Sequence, residues 1–206
     1  MTDTIISVVR KGGCARVTLE SGKVLRVPHA LYMMRKLYPG RALDTEAYAE
    51  WRRGAEYRPA LDRAVKYLEG RERSKGEVIK CLLSCGYEQE AIDRVILTLE
   101  ENHFLQDSRF AGLWVDARAQ KLGRGRIRQE LRMKGVDEDT VKQALDAFTE
   151  EDELEMATLQ AEKLMRRQED ERKLINALVR KGYPFSIAKK ALQNAGKTDL
   201  EAEWEE

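Results

Sequence analysis

Two cysteines four residues apart, Cys81 and Cys85, are the first residues whose type and spacing could do chemistry. On a helix that separation puts both thiols on one face, as half of a tetrahedral metal site would need. The remaining cysteine, Cys14, and the two histidines, His29 and His103, show no ligand spacing to this pair or to each other. Cys81 continues an apolar stripe with Val78 and Leu82, where a small thiol packs well. Neither a metal nor any other cofactor is expected.

Acidic runs at Glu150-Glu151-Asp152-Glu153 and Glu169-Asp170-Glu171 could hold magnesium for a nuclease. Carboxylates that share a cation must converge, whereas consecutive ones splay around a helix. Acids grouped in this way suit helix starts, where they face the positive end of the dipole. Gly123-Arg124-Gly125 lacks the Gly-Lys-Ser/Thr continuation of a phosphate loop. Trp51, Tyr67, Phe110 and Trp114 could stack on bases, but their helical spacing suits a core. Catalysis is not expected; a metal-dependent nuclease using the acidic runs is the enzymatic alternative.

What remains is cationic. Arg118, Lys121, Arg124, Arg126, Arg128, Arg132 and Lys134 form the most basic stretch, opposed by few acids. Arg128 and Arg132 lie one turn apart, beside an apolar stripe of Ile127 and Leu131. Such a strip suits an acidic protein face or nucleic-acid phosphates. It also suits a solvated helix face, ion-paired to Glu130 and to neighbouring segments. Arg71 and Arg73 allow the same two readings, the second drawing on the negative end of a preceding helix.

The chain has 206 residues, 35% charged and 42% hydrophobic, with four prolines and a formal net charge of +1. That balance describes a helix-rich protein with many surface ion pairs and argues against a polybasic nucleic-acid coat. A local strip remains effective because charge is felt over about 10 Å. The opening MTDTIISVVRKGG shows no secretory pattern, and no window approaches the roughly 20 apolar residues of a membrane span. An odd cysteine count without a disulfide framework points to a reducing cytoplasm.

The elements that must position these residues fall into a head and three repeats. Ile5–Arg10, Ala15–Glu20 and Lys23–Val27 lean to β, and the last two read as a hairpin over Ser21-Gly22. Helical patterns follow at His29–Leu37 and from Asp44 onward, and Pro59 ends that helix and starts the next. Segments 78–99, 127–148 and 174–195 then align on Gly86, Gly135 and Gly182, which stand just under fifty residues apart. Val78, Ile127 and Leu174 coincide, as do Leu82, Leu131 and Leu178, and Ile96, Leu145 and Leu192. Cys85 falls in register with Lys134 and Lys181, an edge position.

Each copy is a helical hairpin: the glycine ends one helix in the left-handed conformation, and Asp137 or Pro184 opens the next. Further helices precede each hairpin at Leu61–Leu68, Arg109–Lys121 and Leu154–Arg166, and Ser74-Lys75-Gly76-Glu77 has capping-box spacing. Asp107 is the expected cap of the helix opening the second repeat. The expected fold is all-α, three tandem three-helix repeats in an elongated curved array, with a small N-terminal β-hairpin and helix head. The expected boundaries are 1–58 for the head, 59–106, 107–150 and 151–196 for the repeats, and 197–206 for an acidic, fraying tail around Trp204.

Tyr67-Leu68, Arg71, Arg73-Ser74, Leu82, Gly86-Tyr87, Ile92, Leu99, Asp107, Phe110-Ala111, Arg118, Gly123, Gly125, Ile127, Leu131 and Lys134-Gly135 occur in the order seen in the RecX family, which this chain resembles. The likeness covers residues 60–150 well and is looser over the third repeat. The head resembles the N-terminal region of longer members. Gln106 stands where a second acid is usual, and Gly76 where a charged residue is usual, at a cost of up to about 1 kcal/mol.

The resemblance implies a non-catalytic, monomeric regulator that binds the RecA filament along its groove and inhibits its ATPase, strand exchange and growth. Arg71, Arg73 and the basic strip would then contact RecA or the DNA phosphates. A direct DNA-binding regulator built from helix-turn-helix-like units is the alternative. Against it, the last helices of the repeats carry Asp93-Arg94, Lys142-Gln143 and Lys189-Lys190, mixed in charge and without a shared reading pattern.

Overall fold

Short aliphatic and β-branched segments open the computed structural model, which describes residues 2–168 and 170–202. β1 (Thr2–Lys11), β2 (Cys14–Leu19) and β3 (Val24–Pro28) coincide with the three expected segments. β2 and β3 pair antiparallel as the expected hairpin, Val17 opposite Leu25. The sheet is larger than that hairpin. Its order is β3-β2-β1-β4, with β4 (Ala42–Asp44) paired to the start of β1. Three residues carry too little alternation to show in sequence, and the pairing depends on a return of the chain after α1 (His29–Arg35). Gly40, at φ +84°, makes that return and donates to the Ile5 carbonyl at 2.7 Å.

Asp44 caps α2 (Thr45–Ala55) through the amides of Glu46 and Ala47. α3 (Tyr57–Leu68) begins two residues before Pro59, not at it. The proline is tolerated there because first-turn amides have no helical acceptor. α4 (Lys75–Ser84) and α5 (Gln89–Glu101) complete the first repeat. α6 (Asp107–Ala119), α7 (Arg124–Met133) and α8 (Glu138–Asp146) form the second, with Asp107 the first residue of α6. α9 (Glu150–Met165), α10 (Glu171–Arg180) and α11 (Phe185–Ala202) form the third.

The same turn closes each hairpin. Gly86, Gly135 and Gly182 have φ of +87°, +80° and +95°. In each case the glycine amide and the next amide donate back into the last turn, as Gly86 does to Leu83 and Tyr87 to Leu82. Two orphan carbonyls are satisfied that way. Ser74 and Glu77 form the expected capping box at α4, and Thr149 with Asp152 forms another at α9. The first acidic run is therefore a helix start. In the second, Asp170 caps α10, and Glu169 lies outside the described residues.

The chain divides into two compact units, Met1–Gln106 and Asp107–Glu206. In the first, head and first repeat share one core, from Ile5, Val17 and Leu31 to Leu82, Ile92 and Leu99. Across this joint runs a buried network. Arg52 bonds Glu56 at 2.6 Å, the Gly86 carbonyl at 2.6 Å and Glu88 at 2.9 Å. The second unit has one core within α6–α8 and another within α9–α11. No helix among the described residues is long and apolar enough to cross a membrane. Trp204 and the end of the expected tail lie outside the described residues; α11 runs to Ala202.

Candidate partner-binding surface

Periodicity alone sets the basic helix in place. Ile127 and Leu131 are fully buried, so α7 turns Arg124, Arg126, Arg128 and Arg132 toward its remaining surface. Its N-cap is Gly123, which offers no side-chain acceptor. Glu153 on α9 supplies one instead: it is 2% exposed and accepts the Arg124 amide at 2.7 Å. Burial pushes the Glu153 carboxyl up, while the Arg124 amide and charge pull it back.

Two carboxylates organise most of the strip. Glu130 meets Arg118 at 3.3 Å and Arg126 at 3.9 Å, and accepts the Trp114 indole N–H at 3.0 Å. Glu138 meets Arg132 at 2.5 Å and Arg128 at 3.8 Å. The Trp114 ring carries Lys134 at 4.1 Å and Arg118 at 4.7 Å. Half-buried Trp114 packs at the edge of the core of the second repeat, with buried Phe110 stacked on it at 5.7 Å, and leaves a ring face to the two cations. The expected pairing with Glu130 is present. Four guanidinium groups, Arg118, Arg126, Arg128 and Arg132, thus share the two carboxylates Glu130 and Glu138, so this face keeps a positive surplus.

Lys121 stands apart, without an ion pair among the described residues, and lines a cavity of its own beside α9. Arg71 and Arg73 belong to the other unit. Neither sits on the end of α3; both lie in the loop beyond it. Arg71 holds the capping-box Glu77 at 2.8 Å, and the Arg73 guanidinium lies 4.1 Å from the Tyr67 ring centre. Arg71 thus contacts the start of the next helix, and Arg73 packs on the last turn of α3.

The cysteines exchange the expected environments. Cys85 is buried, not at an edge, because the β1–β2 turn covers it: a Cβ on Gly13 would lie 2.6 Å from its sulfur. Cys81 is half-buried, and desolvation raises its thiol pKa. No group of three or more His, Cys, Asp or Glu among the described residues could hold a metal ion. Sequence did not single out Glu138; it named Glu153 only within an acidic run and Trp114 only as a stacking or core aromatic, not in the roles they take here. Only the placement of Glu138 in the first turn after the Gly135 turn, one residue past the cap Asp137, hinted at its reach to α7.

Fold and surface together define a tandem three-helix-repeat protein presenting a cationic face. Family models match in the same three blocks: the RecX first three-helix domain at residues 60–99, the second at 107–145 and the third at 150–192. The regulatory protein RecX of Bacillus velezensis is 32% identical over 82% of this chain and 68% of its own length. That of Bacillus licheniformis is 31% identical over 80% and 65%. A crystal structure of regulatory protein RecX superposes with TM-score 0.63 at 26% identity, covering 93% of this chain and 99% of that one. RecX from Lactobacillus salivarius, at 23% identity and TM-score 0.64 over 69% of this chain and 98% of that one, shows the same fold. The chain belongs to the RecX family of regulatory proteins. It spans about two thirds of the length of these Bacillus relatives.

Proposed function

We propose that this chain binds the RecA nucleoprotein filament and inhibits its ATPase, strand exchange and growth, without chemistry of its own. One observation carries the reading: the surplus of positive charge along α7 in a member of the RecX family. The proposed contact is Arg118, Lys121, Arg124, Arg126, Arg128, Arg132 and Lys134, with Arg71 and Arg73 contributing from the first repeat. Their counterpart is an acidic face of the recombinase or the phosphates of its bound DNA.

The local ion pairs do not oppose this role. Exposed pairs such as Arg132–Glu138 contribute about 0.2–1 kcal/mol, less than a charge-assisted contact in a desolvated interface. The arginines can therefore exchange partners on binding. Three tandem repeats would let a monomer touch more than one RecA subunit. The chain would work in the cytoplasm, where its three free thiols stay reduced.

RecA's single-stranded-DNA-dependent ATPase tests this, titrated with wild type and with Arg128→Glu/Arg132→Glu. Wild type should inhibit, and the variant should lose at least about tenfold in potency. Inhibition by both would move the contact off α7. No inhibition by wild type in excess would reject the function.

A further inference from the structure

The ion pairs of α7 leave out three lysines that meet elsewhere. Lys121 lies just past α6, Lys163 in the last turn of α9, and Lys181 caps α10. All three line one cavity of about 450 Å³. Met156, Leu159 and Gln160 contribute from one face of α9, and the described lining contains no carboxylate. Among the described residues none of the three lysines makes an ion pair.

This wall is built, not left to loose side chains. Gln160 is 6% exposed; its amide donates to the Gln120 carbonyl at 3.0 Å and accepts from the Lys181 ammonium at 2.5 Å. The Gly123 amide bonds the Lys181 carbonyl at 3.0 Å, tying the Lys121 segment to the end of α10. Burial, and then the charge of Lys163, lower the pKa of Lys181, so the two ammonium groups feel each other.

Helix ends offer a competing reason for the lysines, since C-terminal carbonyls favour cations. Each end carries about half a negative charge, so three leave roughly one and a half positive charges uncompensated. An anion restores the balance. Ammonium groups are compact charges with freely rotating donors, suited to oxygens spread in several directions, and a planar carboxylate matches arginine forks better. We propose that this cavity binds a phosphate group, carried by a nucleic-acid backbone or by a free nucleoside polyphosphate. The proposal stands whether or not the chain acts on RecA.

Calorimetric titration of the full chain with pyrophosphate, and separately with an oligothymidylate, tests it. Lys121→Ala/Lys163→Ala is the variant: both side chains are exposed, and Lys181 keeps its bond to Gln160. Wild type should bind pyrophosphate with a Kd of about 1 mM or tighter, weakened at least about tenfold in the variant. If the source is a backbone, oligothymidylate binding should also weaken, its salt slope falling by about 0.7 per lysine removed. Pyrophosphate binding lost in the variant, with an unchanged oligothymidylate slope, assigns the site to free polyphosphate. Wild type that does not bind pyrophosphate and shares its oligothymidylate slope with the variant overturns the proposal, as does pyrophosphate binding that the variant leaves intact.

Discussion

The amide of Gly125 donates to the carbonyl of Gly182 at 3.2 Å, drawing the first turn of α7 against the turn that ends α10. A Cβ on Gly182 would lie 2.3 Å from the Arg126 nitrogen, and one on Gly123 2.6 Å from the Gly182 carbonyl. Three glycines thus join the second and third repeats backbone to backbone. The basic helix starts at this seam, so its position depends on residues that carry no charge.

Gly182→Ala should therefore destabilise the second unit. The left-handed φ costs roughly 1–2 kcal/mol for an alanine, and the clash roughly 1–3 more. Gly196→Ala is the control: it lies within α11, with nothing within 4 Å of an added Cβ, and should gain up to about 1 kcal/mol. Chemical denaturation of both variants checks the contrast. A Gly182→Ala midpoint equal to wild type would refute the close seam.

Arg52→Met should cost more than an ordinary core change. Glu56 is 1% exposed, and burial already raises its pKa despite the bond to Arg52. Removing the arginine strands that carboxylate, a loss of about 3–5 kcal/mol. Arg52→Met/Glu56→Leu should recover much of the loss, because no buried charge is left unpaired. Thermal unfolding of the two variants decides it; a double variant no better than the single would locate the cost in packing.

What was legible in the sequence was local. Gly86, Gly135 and Gly182 announced their turns because a left-handed residue after an apolar stripe is encoded within a few positions. Ser74 and Glu77 announced α4 in the same way. Three-residue β4, the cover of Gly13 on Cys85 and the Arg52 network all join residues far apart in the chain, and no short pattern encodes such pairings. The cationic strip was visible as composition. That Glu130 and Glu138 would divide it, and that Trp114 would carry two cations, depended on how α6 and α8 pack against α7.

Glu153→Gln should reshape the pH dependence of stability. Burial raises the native Glu153 pKa above its ordinary value of 4.5, so the native state binds the proton more tightly than the unfolded chain. Wild type therefore gains stability as pH falls through the raised value toward 4.5 and gains nothing more below it. The glutamine keeps an oxygen for the Arg124 amide but cannot titrate. Across that window wild type should gain on the variant. Glu56 is also raised but is common to both, so it cancels in the difference. Asp137, Asp152 and Asp170 have lowered values, bonded to hydroxyls or backbone amides of their caps, and their contributions are lost only below 3.8. Urea midpoints across the range test the sign; a difference independent of pH would contradict the buried carboxylate.

Glu138→Gln tests the cationic face in the direction opposite to charge reversal. Among the described residues Glu138 is the carboxylate paired with both Arg128 and Arg132, and all three side chains are about half exposed. Neutralising it releases both guanidinium groups at little cost to the fold, since exposed pairs contribute about 1 kcal/mol or less. Under the proposed RecA function, the variant should inhibit the ATPase about twofold to tenfold more strongly, mainly through faster association. The gain should shrink as salt rises, because unscreened arginines are what carry it. Glu130→Gln makes a poorer probe, since that carboxylate also holds the Trp114 indole and its loss would disturb the platform under Lys134. Equal potency of Glu138→Gln and wild type at low salt would mean that Arg128 and Arg132 do not face the partner.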